Sequence, residues 1–370
     1  MPEQDVEQIR AACTRFLAGH YPQTPHAALA GLAAAVPADL EDDFYGKGGL
    51  IEDFETEMAA LLGKPAAVFM PSGTMAQQIA LRIWAERTGR RNVAFHPTCH
   101  LEIHEEQGYR LLHRLHGVLV GNRFRLMTLQ DLEAVSVPLG TLLLELPQRH
   151  LGGVLPTWED LTAMLTWAKE RGIVTHMDGA RLWESRPFYG RSYAEIAALF
   201  DTVYVSFYKT VGGIAGALLA GPADVIAEAR VWQRRHGGNL IHLYPYVLAA
   251  QQGLAQRLER VDAYYHKAIA LAQALAGFPE LEITPNPPHT NRMLIFIRGE
   301  QERLQQAALE IAQEKRVWLF HRLAPSQLPA YQVLDLMVGD ATLDLSDEAI
   351  AGLFADLLRR AQGGGAADAR

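Results

Sequence analysis

Asp178 and Lys209 each stand where an apolar run ends, Asp178 after Ile173–Met177 and Lys209 after Thr202–Phe207. The lysine is flanked by the hydroxyls of Ser206 and Thr210 and by Gly212 and Gly213. An amine withdrawn from water at such a point gives up its proton more readily and becomes a nucleophile. A carboxylate at a neighbouring strand end can hold a proton on a ring nitrogen. Taken singly, Asp178 in Asp178-Gly179-Ala180-Arg181 also reads as a helix cap with Arg181 paired on the surface, and Lys209 as a solvated charge.

A third feature bears on that choice. Pro71-Ser72-Gly73-Thr74 separates the strand-like Ala66–Met70 from a stretch with apolar residues at helical spacing, Ile79, Leu81, Ile83 and Trp84. Such a turn presents backbone N–H groups and two hydroxyls at a helix N-terminus, a place that binds phosphate as well as a simple N-cap. Phosphate cradle, aspartate and lysine, in this order on these elements, are what pyridoxal-phosphate chemistry requires. The lysine forms the Schiff base, and the aspartate keeps the pyridine nitrogen protonated so that the ring acts as an electron sink. His100 and His150 follow further strand-like runs, where an imidazole can stack on an aromatic ring and move a proton near neutral pH.

His96, Cys99, His100, His104 and Glu105 crowd one segment, which raises the alternative of a metal site. In His100-Leu101-Glu102-Ile103-His104 the acid lies midway between the histidines, which matches neither the zincin motif nor its inverse, and Pro97 bars an earlier helix start. No metal is expected.

The elements that must position these residues alternate from about residue 64 to 220 between short β-rich runs and amphipathic helices. That pattern predicts an α/β domain with a mostly parallel sheet flanked by helices. Strands are expected at Ala66–Met70, Asn92–Phe95, Thr141–Leu146, Ile173–Met177 and Thr202–Phe207, with Gly216–Ala220 as an antiparallel return. Thr157 opens a helix with Asp160 in a capping-box position. Residues 1–42, broken by Pro22, Pro25 and Pro37, read as a helical arm and loop outside the sheet. Residues 43–250 make the large domain and 251–362 a small α+β C-terminal domain. That domain holds one long helix, a strand at Met293–Arg298, a helix near 300–315 and a strand at Val317–Phe320. Residues 363–370 read as a disordered tail.

The chain has 370 residues, 49% hydrophobic and 21% charged, with 34 Lys+Arg against 42 Asp+Glu. Its dispersed, mildly acidic charge of −8 gives no footprint for a nucleic-acid backbone. Two cysteines, Cys13 and Cys99, make no disulfide framework. The N-terminus has no apolar h-region, and no run approaches the ~20 apolar residues of a membrane helix, so the cytoplasm is the expected compartment.

The sequence resembles the threonine aldolase and β-eliminating lyase group of fold-type-I pyridoxal-phosphate enzymes over roughly residues 40 to 235. The resemblance rests on Asp43-Phe44-Tyr45-Gly46, Lys64-Pro65-Ala66-Ala67-Val68-Phe69, Pro71-Ser72-Gly73-Thr74, His100 with Glu105 and Gly108, His150-Leu151-Gly152-Gly153, Ser206-Phe207-Tyr208-Lys209 and above all His176-Met177-Asp178-Gly179-Ala180-Arg181. It implies an aspartate-aminotransferase-like fold with a seven-stranded large-domain sheet. It also implies Lys209 as the covalent cofactor residue, Asp178 at the pyridine nitrogen, Ser72, Gly73 and Thr74 at the phosphate, and His100 on the ring. Arg181 would meet the cofactor or the substrate carboxylate, Tyr45 the substrate, and His150 the substrate hydroxyl. The implied reaction cleaves a β-hydroxy-α-amino acid to glycine and an aldehyde in a homodimer or homotetramer with shared active sites. β-Elimination, or cofactor binding with little catalysis, are the alternatives.

Three segments depart from the family pattern. Arg15–Pro25 replaces the Arg-Ser-Asp-Thr start, Tyr331–Thr342 lacks the arginine that clamps the substrate carboxylate, and Ile241 stands where a phosphate-binding basic residue is expected. Arg234, Arg235 or His242 would compensate for the last, and Arg181 or Arg292 for the missing clamp.

Overall fold

The computed structural model describes residues 3–363. Apart from Gly363, which ends a helix, the expected tail lies outside them. The chain forms two compact units, one of residues 24–150 and 155–260, the other of residues 3–23, 151–154 and 261–363.

The larger unit is built on strands β1 (Ala66–Met70), β2 (Asn92–Phe95), β3 (His116–Leu119), β4 (Thr141–Glu145), β5 (Val174–Gly179), β6 (Thr202–Ser206) and β7 (Ala217–Gly221). They form one seven-stranded sheet in the order β1-β7-β6-β5-β4-β2-β3. β7 is antiparallel to β1 and β6, and all other neighbours are parallel. Being antiparallel to the same strand, β1 and β6 point the same way. The C-terminal ends of β1, β2, β4, β5 and β6 therefore share one edge, where open α/β sheets bind ligands. The central strands are apolar along almost their whole length, as a parallel sheet covered on both faces demands, and every residue of β6 and β7 is buried. The edge strand β3 was not expected from the sequence. Its residues are mostly exposed and pair only with β2, so neither alternation nor an apolar run marks it.

Helices α1 (Gly49–Leu61), α2 (Gly73–Thr88), α3 (Trp158–Glu170), α4 (Ala223–Arg235) and α5 (Tyr244–Arg257) belong to this unit. α2 lays Ala76, Ile79, Ala80 and Ile83 against Val68, Met70, Tyr204 and Leu219 of the sheet. Gly89 ends it in the left-handed region at φ +68°. Thr157 caps α3 by accepting from the Asp160 N–H at 3.1 Å, and its hydroxyl donates to the Asp160 carboxylate at 2.8 Å.

The smaller unit carries an antiparallel sheet of β8 (Leu281–Thr284), β9 (Arg292–Arg298), β10 (Ala324–Pro325) and β11 (Tyr331–Met337), ordered β10-β11-β9-β8. Helices α6 (Val261–Leu275), α7 (Gln301–Lys315) and α8 (Asp347–Gly363) complete it. The single long helix expected before residue 275 is two helices, α5 and α6, divided by a 3₁₀ turn at Leu258–Arg260. The N-terminal segment is helical over Glu3–Ala11 and Pro25–Ala35, but Arg15–Phe16 pair in parallel with Val317–Trp318. A two-residue ladder is too short to leave a period in the sequence. Among the described residues no helix is long and apolar enough to cross a membrane.

Two buried imidazoles make the fold acid-sensitive. His176 on β5 is fully buried, with Nδ1 on the Thr202 hydroxyl at 2.9 Å and Nε2 unpartnered. Burial pushes its pKa down to about 4. Burial, with the charges of His236 and Arg82, does the same to His113. The unfolded chain takes up these protons near pH ~6.5 and the folded chain only near 4, so their contribution is complete above ~6.5 and lost as pH falls toward 4. For the fully buried His176 the shift corresponds to about 3 kcal/mol. Urea midpoints are expected to drop steeply between pH 7 and pH 4.5, and His176→Gln should flatten that slope; an unchanged slope in the variant would assign the loss to other groups.

Candidate active site

Asp178, Lys209, the Ser72–Thr74 turn, His100 and His150 lie at or just beyond the C-terminal ends of strands of the large sheet. Asp178, 1% exposed, lies at the end of β5. Its Oδ2 accepts from Gln77 Nε2 of α2 at 2.8 Å and its Oδ1 from the Ala180 N–H at 3.1 Å, which fixes the carboxylate in one orientation. Gln77 was not singled out from the sequence. The signal for it was the adjacent pair Gln77 and Gln78, two amides in a helix that is otherwise apolar on its buried side.

Lys209 is held between two anchors. Before it, the Ser206 hydroxyl donates to the Ala180 carbonyl at 2.7 Å and Trp183 Nε1 to the Ser206 carbonyl at 3.0 Å. After it, the Thr210 hydroxyl donates to the buried Glu184 at 2.7 Å, and Arg257 Nη1 to the Val211 carbonyl at 2.8 Å. Desolvation, helped by the nearby Arg181 guanidinium, lowers the pKa of the Lys209 amine; Asp178, Glu145 and Glu184 oppose the shift. The net direction is that of a primed nucleophile.

Ser72, Gly73 and Thr74 form the α2 N-terminus. Ser72 Oγ accepts from the Met75 N–H at 3.2 Å, so the N-cap reading of this turn holds together with its position at the site edge. Gly73 is required here: a Cβ would stand 1.9 Å from Tyr204 Oη. Of the first backbone N–H groups of the helix, that of Met75 is taken by Ser72, which leaves those of Gly73 and Thr74 for a phosphate.

The loops after β2 and β4 bring three histidines together. His100 Nδ1 meets Glu105 Oε1 at 2.8 Å, and Glu105, nearly fully buried, also accepts from Gln78 Nε2 at 3.0 Å. His104 follows, its ring centroid 5.0 Å from that of His100, and His104 Nε2 lies 2.9 Å from His150 Nε2. The sequence read His104 only as a rejected metal ligand. Among the described residues no three His, Cys, Asp or Glu side chains are arranged to hold a metal ion. His96 is instead a loop clamp, its Nε2 set on the carbonyls of Asn122 and Arg125, both at 2.9 Å. Cys99 is fully buried, and desolvation raises its pKa well above the ordinary thiol range, which leaves the sulfur inert.

Glu145 is the second carboxylate of the site. It is in register with Asp178 on the neighbouring strand and accepts from Gln148 Nε2 at 3.0 Å and the Arg149 N–H at 3.2 Å. Burial, then the Asp178 charge, pushes its pKa up to about 7. In the sequence it looked like the polar end of an apolar strand.

Tyr45 stands on the turn that Asp43 anchors. It is exposed at φ +52°, its ring packs on Phe44, and its N–H donates to the Ile241 carbonyl at 2.9 Å. Asp43 pins this turn, accepting from the N–H groups of Gly46, Leu243 and Tyr244. His242 Nδ1 donates to the Asp43 carbonyl at 2.7 Å and Arg235 stacks over Trp232, so both have structural uses. Arg292 pairs with Asp335 across β9 and β11.

The fold is that of the fold-type-I enzymes, and the sequence profile of the β-eliminating lyases matches residues 25–300. The chain belongs to that family. A solved structure from Listeria monocytogenes EGD-E, described as a candidate L-allo-threonine aldolase, is 39% identical with a TM-score of 0.92, covering 96% of this chain and 99% of that one. Aldolase vrtJ of Penicillium aethiopicum is 33% identical over 260 residues, 68% of this chain and 65% of its own length. Low-specificity L-threonine aldolase 1 of Arabidopsis thaliana is 27% identical over 273 residues, 71% of this chain and 75% of its own.

Proposed function

We propose that this chain is a pyridoxal-phosphate-dependent aldehyde-lyase that cleaves the Cα–Cβ bond of a β-hydroxy-α-amino acid, giving glycine and an aldehyde. The observation that carries the reading is the convergence of the Lys209 amine, the oriented Asp178 carboxylate and the open α2 N-terminus at one sheet edge. The donor set suits the cofactor. Ser72, Gly73 and Thr74 would hold its phosphate, Asp178 its ring nitrogen, His100 its ring face and Lys209 its aldehyde carbon. When bound, it supplies a sink for the electron pair released from the Cα–Cβ bond.

The chain's own groups do the rest. Arg181, whose charge reaches Lys209, orients the substrate carboxylate; Arg292 pairs with Asp335. Glu105 holds the His100 imidazole by its Nδ1. His150 takes the proton of the β-hydroxyl. Tyr45 serves a site completed by a second copy: it lies with Phe44, Leu240 and Ile241 in an exposed apolar patch that suits burial in a homodimer or larger assembly.

The test is product analysis after incubation with pyridoxal phosphate and L-threonine or L-allo-threonine. Glycine and acetaldehyde in equal amounts are expected. A keto acid and ammonia without glycine would replace the aldolase reading with β-elimination, and a coloured but inert protein would leave only cofactor binding.

A further inference from the structure

His104 has no part in the reading above, yet its Nε2 lies 2.9 Å from that of His150. The ring planes differ by only 24° while the centroids are 5.0 Å apart, well beyond the nitrogen separation. The rings therefore meet edge to edge, as a hydrogen-bonded pair does, and not face to face. At such a distance one nitrogen carries the proton and the other the lone pair.

Arg149 indicates which. Its Nη1 stands 3.4 Å from His150 Nε2, and a guanidinium only donates. His150 Nε2 is then the acceptor and His104 Nε2 carries the hydrogen. His100, Glu105, Arg149 and Lys209 are the other charged or titratable groups that act on His104; desolvation and the three basic neighbours lower its pKa, favouring a neutral ring at neutral pH.

We propose that His104 is a second catalytic histidine, the hydrogen-bond donor to the β-oxygen of the substrate while His150 removes that oxygen's proton. This rests on the aldolase reading. The substrate hydroxyl enters between the two Nε2 atoms, donating to His150 and accepting from His104. In the reaction the O–H proton passes to His150 Nε2, the O–H bonding pair becomes the second C–O bond of the aldehyde, and the Cα–Cβ pair stays with Cα, which is later protonated to give glycine. His104 stabilises the negative charge on the oxygen as the proton leaves. The resting His104–His150 bond keeps donor and acceptor in place until the substrate replaces it.

Two rates measured on the full-length holoenzyme separate this role from a structural one: cleavage of L-threonine or L-allo-threonine, and exchange of the glycine Cα hydrogen in D2O. The second reaction has no β-oxygen. His104→Phe is expected to lower kcat/KM for cleavage about 10- to 100-fold, the cost of one lost hydrogen bond to a developing charge. Glycine exchange should stay within about twofold, and His104→Gln, which keeps an N–H donor, should recover most of the loss. Cleavage by His104→Phe at the wild-type rate, an equal fall in both reactions, or no recovery with glutamine would overturn the proposal. Wild-type protein that exchanges glycine but cleaves neither amino acid would overturn the aldolase reading itself, and this inference with it.

Discussion

Lys209→Ala is expected to leave a folded protein that no longer retains pyridoxal phosphate through dialysis, shows no visible absorption band, and cleaves amino acids about 10⁴-fold or more slowly. The magnitude is that of losing the nucleophile from a set of groups acting as one. The fold should survive because the loop is pinned on both sides of the lysine by backbone and neighbouring side chains, Ser206 on Ala180 and Thr210 on Glu184. Lys209→Arg sharpens the test. It keeps a positive charge beside Asp178, Glu145 and Glu184, yet a guanidinium does not lose its proton and cannot bond a carbonyl carbon. If Lys209 acted as a fixed charge, the arginine variant would work; as a nucleophile, both variants fail alike. Near-wild-type turnover with a retained chromophore in either variant would remove Lys209 from the centre of the site.

The sheet edge was legible because parallel strands buried on both faces leave near-continuous apolar runs, and the residue that ends such a run stands out. Asp178 at the end of β5 and Lys209 after β6 stood out on that ground, and gained a chemical meaning together with the Pro71–Thr74 turn. Elements stabilised mostly by tertiary contacts were not. The edge strand β3 has no buried face to impose a pattern, and the pairing of Arg15–Phe16 with Val317–Trp318 joins segments too far apart in sequence to announce each other.

Within the site, the residues that support others were the hidden ones. Gln77 orients Asp178, Glu105 and Gln78 hold His100, and Glu145 shares the register of Asp178, but each matters through a contact that sequence spacing does not encode. His104 stands beside His96 and Cys99 along the chain in a spacing that fits no metal motif, and nothing in that spacing announces that the fold sets its ring against His150 from another loop.

Asp178→Asn is the second large effect, and it isolates charge from shape. Asparagine is isosteric, and the one group that would oppose it can adapt. Gln77 Nε2 now donates to Oδ2 while Gln77 Oε1 has no partner, so turning the Gln77 amide over lets it accept from the asparagine N–H. The variant should therefore fold and still take up pyridoxal phosphate at Lys209. What it loses is the negative charge that holds a proton on the ring nitrogen. Removing one partner of a buried charge pair costs about 3–5 kcal/mol, which corresponds to a fall in cleavage of about 10²- to 10³-fold or somewhat more. Glycine exchange should fall with it, because both reactions place electrons on Cα, and this parallel loss distinguishes Asp178 from His104. Glu145 offers an internal check. With the Asp178 charge gone, one of the two causes that raise its pKa is removed, so Glu145 should ionise at lower pH than in the wild type. Carboxyl infrared difference spectra between pH 5 and 8 would follow that shift. A variant with unimpaired cleavage would mean that the ring nitrogen needs no anion here, and would leave Asp178 a purely structural end to its strand.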